Sequence, residues 1–551
     1  MSERWYKEAV LYSLQVDAFA DGDGDGCGDF RGLISRLDYL ARLGVTCVWL
    51  NPIHPSPLRD NGYDITDYYG IHPRLGSLGD FAEFVSEARQ RGIRVLLDLV
   101  VNHTSDEHPW FLSAQSDRNS PYRDWFVWSD EEPPDRRQGM VFPGEQEETW
   151  SWSEQAGAWY YHRFYGFQPD LNWGNPAVRA EIRKVMGFWQ QLGVAGFRVD
   201  AAPFILEQTE PGEAEPFKDF SILDEWRSDL QWRAGDSILL CEANVPADVI
   251  ARYTADRADG PNTRSHLMFA FGLNAKLWLS LARESAEPLV ETLRTLPKLP
   301  AMAQWITFLR NHDELDLSTL TAEQRREAMR LFAPRQDMRI YHRGIRRRLA
   351  PMLRNDRRHI ELAYALQFSM PGSPVLRYGE EIAMGERLDL DGREAIRTPM
   401  QWDDGPNAGF SDATGELVRP LVVRGPYAYP TVNVRAQQRD PDSLLRWFGQ
   451  LIATLRECPE IGTGTITVLD LPVPPSVLVH RFDAPEGSIL LLHNLADRAV
   501  TIDIGSLDGV EGRPWEMLAD GPYPRPAEDL TGLQLNGWGY RWIRLRRGRD
   551  S

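Results

Sequence analysis

Along the first 460 residues, short apolar runs bounded by turn residues alternate with longer segments whose apolar positions recur every three or four residues. The short runs predict strands over residues 10–16, 47–51, 95–101, 196–200, 238–242, 268–271, 306–310 and 374–378. Between them the helical period is clearest over 80–91 and 177–192. Each of these segments is followed by a glycine, Gly92 and Gly193, where a helix would stop.

Eight strands alternating with helices predict an α/β protein built on a (β/α)8 TIM barrel. One interval breaks the rhythm. From 103 to 172 the chain is rich in Trp, Pro, Asp and Glu and loses periodicity, which predicts a lid-like domain inserted after strand 3 and overhanging the barrel mouth. From 461 the character changes again. Short β-prone pieces at 477–481, 488–492, 499–504 and 540–545, separated by turn residues, predict a small C-terminal antiparallel β-sandwich. The expected organisation is therefore a barrel over 1–102 and 173–460, an insertion over 103–172, and a sandwich over 461–551.

Composition narrows the partners. The 80 acidic against 61 basic residues give a formal charge of −19, which repels phosphate backbones and anionic membranes. Nucleic acid and membrane surfaces are excluded on this reading, while a small neutral substrate and bound divalent cations are compatible with it. The most basic stretch, Arg346-Arg347-Arg348 with Arg343 before it, reads as a solvated helix face. Four cysteines without a CxxC pair imply neither a zinc site nor a disulfide framework. The chain opens without a charged-then-apolar leader, and no stretch approaches the roughly 20 apolar residues of a membrane span. The expected location is cytoplasmic, and a homo-oligomer is compatible with the sequence.

In such a barrel the reactive groups stand at the C-terminal ends of strands. Strand 3 runs into Asp98 and Asn102-His103, strand 4 into Arg198 and Asp200, strand 5 into Glu242 and Asn244, and strand 7 into His312-Asp313-Glu314. A carboxylate at the end of a buried apolar strand is costly unless paired or used. Splitting a glycosidic bond with retention needs two carboxyl groups about 5–5.5 Å apart. Asp200 and Glu242, ending adjacent strands, meet that requirement. Arg198 would keep Asp200 ionised as nucleophile, while burial and nearby negative charge would keep Glu242 protonated as general acid/base.

The set Asp98–His103, Gly196-Phe-Arg-Val-Asp200, Glu242 and Asn311-His-Asp313 resembles the four ordered motifs of the α-amylase family of glycoside hydrolases. The resemblance implies Asp200 as nucleophile, Glu242 as acid/base, and Asp313 as the carboxylate that grips sugar hydroxyls. It also implies His103, Arg198 and His312 as glucose contacts. Gln168-Pro-Asp-Leu-Asn172 and Asp60-Asn-Gly-Tyr63-Asp64 are similar to the oligo-1,6-glucosidase-like branch, which handles short α-glucosides. There Tyr63 would form a stacking platform, with Asp60 and Arg397 holding the terminal hydroxyls. Ala201, small where α-1,6-specific members carry Val, favours maltose-like substrates.

Segments 308–315, 344–351 and 397–402 look most like the trehalose synthases of this family, which interconvert maltose and trehalose. On that resemblance Asn244 and Glu314 are contacts to the second glucose. Residues 204–215 and 268–278 depart from the group's pattern, which puts acceptor choice in question.

Two cation sites are expected. Asp21, Asp23, Asp25 and Asp29, spaced through a Gly-rich turn, suit Ca²⁺, with Mg²⁺ as an alternative. By resemblance, Asn102, Asp170 and Glu207, with the carbonyls of Phe204 and Ile205, form a structural Ca²⁺ site between barrel and insertion. Three readings remain: a trehalose synthase-like isomerase, an α-glucosidase or transglucosidase acting on α-1,4-linked disaccharides, and a non-catalytic binding subunit. The last would have lost its carboxylates, and this chain has not.

Overall fold

A computed structural model describes residues 4–208, 217–255, 261, 263–485, 487–505, 507 and 510–547. Eight parallel strands close into a barrel: β1 (Leu11–Leu14), β2 (Cys47–Leu50), β3 (Arg94–Leu99), β4 (Gly196–Val199), β5 (Ile238–Cys241), β6 (Leu267–Phe269), β7 (Gln304–Thr307) and β8 (Ser373–Arg377). β1 closes the ring by pairing with both β2 and β8. Each strand overlaps the apolar run that predicts it; β3, β6, β7 and β8 begin one or two residues earlier, and every strand ends earlier than its run, whose last residues form the mouth.

Side chains alternate strictly between two environments, as the period of 2 along a strand requires. Leu11, Cys47, Trp49, Leu96, Ile238, Leu240, Leu267, Phe269, Ile306, Phe308 and Val375 fill the barrel interior. Their neighbours in sequence, such as Val48, Leu97, Leu239 and Leu376, face the surrounding helices. At the C-terminal ends of the strands and just past them, the inward parity selects Asp98, Arg198, Asp200, Glu242, Arg310, His312 and Arg377.

The helix α1 (Leu78–Gln90) begins at a capping box in which Ser77 and Asp80 satisfy each other's backbone N–H groups. α2 (Pro176–Gln191) starts on an Asn175 cap and ends near Gly193, whose φ of +95° lets the chain reverse. α3 (Phe271–Arg283) follows β6 at once. Of the unusual segment 204–215, residues 209–215 lie outside the described residues.

The excursion after β3 holds a short helix, Pro109–Ser116, and a three-stranded sheet centred on Ala158–Tyr161. A second excursion went unforeseen. After β7, the pieces Leu315–Asp316, Arg339–Ile340 and Gly344–Ile345 form a small antiparallel sheet beside the mouth. The adjacent arginine run is consequently not a solvated helix face. Arg348 is fully buried against Glu380, Arg347 pairs with Glu386, and Arg346 donates to the Leu390 carbonyl.

Beyond the barrel, β9 (Thr465–Val468), β10 (Val477–Ala484), β11 (Gly487–Asn494), β13 (Val510–Ala519) and β15 (Tyr540–Arg547) form one sheet, and β12 (Val500–Ile502) pairs with β14 (Leu533–Leu535). The two enclose their own apolar core. The opposite face of the large sheet, with Phe482, Leu491 and Trp542, joins the main core.

Candidate active site

Asp200 and Glu242 each stand one residue beyond their strand, and their backbone N–H groups continue the ladder to Leu99 and Val199. The next residue, Ala201, adopts φ 50°, ψ 35°. That left-handed turn is strained for a residue with a Cβ. It swings the Ala201 N–H toward Glu242 Oε2 at 3.3 Å.

Arg198, 1 % exposed, organises the acids. Its Nη1 lies 2.6 Å from Asp200 Oδ1 and 3.3 Å from Asp98 Oδ1, and its Nη2 lies 2.7 Å from Glu242 Oε1. One planar cation thus holds the two key carboxylates side by side. Burial pushes Asp200 up to about 6 against the opposing pull of Arg198. Burial pushes Glu242 further, to about 7, with Arg198 opposing and the charges of Asp200 and Asp313 assisting. Of the two, Asp200 is the more readily ionised and Glu242 the readier to keep its proton.

Around them the polar groups interlock. Tyr63 donates to Asp98 Oδ2 at 2.7 Å and stands 2.7 Å from His312 Nε2, with its ring stacked on the imidazole at 9°. His312 Nε2 also reaches Asp313 Oδ2 at 3.1 Å. Burial holds His312 neutral, far below the usual imidazole range. Burial raises Asp313, but Arg393, His312 and Arg397 outweigh it and bring it well below the usual carboxylate range. His103 is buried and directs Nε2 at the Tyr63 carbonyl, 2.9 Å away.

Asp60, Tyr63, His103, Asp200, Glu242, Asn244, Asp313 and Glu314 line one cavity of about 570 Å³, within the size range of small-molecule sites. Asp60 accepts from Gln168 Nε2 at 2.9 Å. Asn244 donates to Asp316 Oδ2 at 3.1 Å. Arg198 and His312 support the lining residues from behind.

Arg397 does not line this cavity. It is 1 % exposed, donating to the His312 carbonyl at 3.0 Å and lying 3.3 Å from Asp313 Oδ1. Arg393, which sequence reasoning missed, lines the cavity instead, as do Arg163 and Arg343. The Arg393 guanidinium pairs with Asp313 at 2.8 Å and Glu314 at 2.9 Å. It is also the first charge that opposes the burial-driven rise of Asp60 to about 6. A second arginine four residues before Arg397 was the available signal.

A partial roof overhangs the mouth. Phe142, from the insertion, stacks on Tyr341, from the sheet after β7, with ring centroids 4.8 Å apart and 28° between planes. Arg343 Nη1 donates to the Val141 carbonyl at 2.7 Å. Arg393 lies under both rings, 5.2 Å from Phe142 and 5.3 Å from Tyr341. Phe271, the first residue of α3, also lines the cavity.

The carboxylates of Asp21, Asp23 and Asp29 lie within 4.8 Å of one another. Asp25 is not in that group; its carboxylate accepts from the Cys27 N–H at 2.7 Å. Asn102, Asp170, Phe204 and Glu207 line a second cavity, about 950 Å³, but Ile205 does not. Arg163 stands at the wall common to both cavities and pairs with Glu207 at 2.8 Å. Gly139 makes room for it: a Cβ there would sit 2.6 Å from Arg163 Nη1, and φ is +83°. Burial pushes Asp170 up to about 7.

The α-amylase catalytic-domain model matches residues 14–339 and 345–464, and a sucrose hydrolase-like C-terminal domain model matches 487–544. The chain is 40% identical to a trehalose synthase of Pimelobacter sp. (strain R48), covering 98% of this chain and 96% of the relative. It is 30% identical to an oligo-1,6-glucosidase of Parageobacillus thermoglucosidasius, covering 99% and 100%. Among solved structures it is similar to the α-amylase of H.orenii, with a TM-score of 0.79 and 28% identity, covering 98% of this chain and 100% of the other. It is also similar to the isomaltulose synthase of Klebsiella sp. LX3, with a TM-score of 0.78 and 25% identity, covering 98% and 99%.

Proposed function

The chain belongs to the α-amylase family, as an enzyme acting on α-glucosides, and from that premise we propose that it interconverts maltose and trehalose through a glycosyl-enzyme at Asp200. The observation that carries this reading is the 40% identity to a trehalose synthase over 98% of the chain. The roofed cavity supports it physically, because an isomerase must keep water from a glycosyl-enzyme while the released sugar turns.

An Asp200 oxygen attacks the anomeric carbon as the glycosidic bond breaks. Glu242 gives its proton to the departing oxygen, releasing glucose that stays in the cavity. Glu242, now ionised, takes a proton from another hydroxyl of that glucose, whose oxygen displaces Asp200 and regenerates both carboxyl groups. Asp313, held ionised by Arg393 and Arg397, grips hydroxyls of the donor ring. Asp60 and Arg393 close the end beyond that ring. Asn244 and Glu314 face the acceptor.

Incubation with maltose tests the reading: trehalose should accumulate alongside a smaller amount of glucose. Glucose alone would leave the α-glucosidase reading, which the 30% identity to an oligo-1,6-glucosidase favours.

The reading extends to cations. Asp21, Asp23 and Asp29 offer hard oxygens to a structural Ca²⁺ or Mg²⁺ that would tie their loop together. Asn102, Asp170 and Glu207 would hold a second Ca²⁺, and the buried, raised carboxyl of Asp170 is a donor lacking full charge compensation. Ile205 drops out of that set, and Arg163 must release Glu207. Among the described residues no helix is long and apolar enough to cross a membrane. Four buried free thiols suit a reducing, cytoplasmic setting, and a homo-oligomer is compatible with this reading.

A further inference from the structure

A small cavity of about 30 Å³ lies against the ends of β1 and β2, lined by Gln15, Asp17 and Asn51 among others. None of these three lines the sugar cavity. Gln15 and Asn51 each stand one residue past their strand. The register that pairs Leu14 with Leu50 sets them side by side, and the Asn51 N–H still donates to the Leu14 carbonyl at 3.0 Å. They are 5 % and 4 % exposed.

Three oxygens here are buried without a hydrogen-bond partner: Gln15 Oε1, Asp17 Oδ1 and Asn51 Oδ1. Buried acceptors left unmet are costly. Tyr63 fixes which way Asn51 turns. The Asn51 Nδ2 donates to the Tyr63 hydroxyl at 3.4 Å, and that hydroxyl gives its own proton to Asp98 Oδ2 at 2.7 Å. Turned over, the amide would set oxygen against oxygen, so Oδ1 points away from Tyr63.

The charge around these oxygens favours a cation. Asp17 Oδ2 meets Arg419 at 2.8 Å, but the same guanidinium pairs with Glu394 and donates to Asn61 Oδ1 at 2.7 Å. Arg397, 3.6 Å from Glu394, is in turn shared with Asp313. The other charged lining residue, Arg74, is exposed, where water and salt screen it. Burial brings His54 down to about 4 and also lowers His72, so neither imidazole adds positive charge at neutral pH.

We infer that Gln15 Oε1, Asp17 Oδ1 and Asn51 Oδ1 bind a monovalent alkali-metal cation. Hard oxygen donors suit such an ion, and one carboxylate already shared with Arg419 matches a single positive charge better than two. The cavity holds roughly one or two atom-sized guests. A water has two hydrogens for three acceptors, whereas a cation meets all three at once. The ion would join the ends of β1 and β2 and, through Asn51, steady the Tyr63 ring that stacks on His312.

The test uses the full-length enzyme at a fixed Ca²⁺ concentration, with potassium or sodium chloride replacing tetramethylammonium chloride at constant ionic strength. Chloride then stays constant, and the bulky ion is too large for the cavity. The expected result is a saturable rise in Tm of about 1 °C or more, and an anomalous thallium(I) peak among the three oxygens in crystals grown with thallium acetate. Gln15→Leu should weaken the apparent alkali-cation affinity at least tenfold. If that variant fails to fold, the wild-type titration and the thallium map decide alone. A Tm indifferent to both alkali cations overturns the proposal, as does ordered water alone at the site with no thallium peak, or an undiminished cation response in Gln15→Leu.

Discussion

Arg198 reaches Asp98, Asp200 and Glu242 with two nitrogens, so substitutions around it separate chemistry from scaffolding. Asp200→Ala should lower kcat on maltose by about 10⁴-fold or more, read as the sum of trehalose and glucose. Substantial turnover in that variant would refute the assignment. Catalysis requires Asp200 ionised and Glu242 protonated, so kcat/KM should fall below a pH of about 6 and again above about 7. Glu242→Gln should erase the alkaline limb along with most of the rate; a limb that survives belongs to another group. Arg393→Ala should raise KM and cut kcat/KM roughly 10²-fold. Both Arg393→Ala and Arg397→Ala should lower Tm, since each removes a cation beside Asp313, but Arg397→Ala should act less on KM because Arg397 does not line the cavity. Equal effects on KM from the two would refute their separation. Asp200, Glu242 and Asp313 were legible in the sequence because each follows a strand whose apolar run announces it. Arg393 was not, because its place depends on how a loop lies across the mouth.

At the scale of elements, strands were easier to read than excursions. A buried strand dictates its own composition, and all eight barrel strands overlap the expected runs, four of them beginning one or two residues earlier. The sheet after β7 is built from pieces two residues long amid arginines that pair across loops, and no periodicity survives in so short a piece. β9, β13 and β14 escaped notice for a related reason: β9 is only half-buried, and β13 is broken by register shifts. The roof formed by the two excursions should control the acceptor. Phe142→Ala or Arg343→Ala should raise the share of glucose among maltose products several-fold while the total turnover changes less. An unchanged product ratio in both would remove the roof from the account of water exclusion.

At the scale of the molecule, the charge of −19 and the acidic loop at residues 21–29 make cations the plausible structural partners. Chelation should lower Tm by several degrees while initial rates measured well below the transition stay within about twofold. A large rate loss without a Tm change would assign the cation to chemistry instead.

The roof also sets a schedule. Its hydrogen-bonded tie, from the Arg343 side chain to the carbonyl of Val141, spans 202 residues. At ribosomal speeds of about 5–20 residues per second, that interval lasts roughly 10–40 s. Within it Asp200, Glu242 and Asp313 are made in turn, so all three acids exist before the tie that covers them. The barrel itself closes only after β8 has been made, and the newborn insertion must wait, aromatic face uncovered, for a partner not yet made.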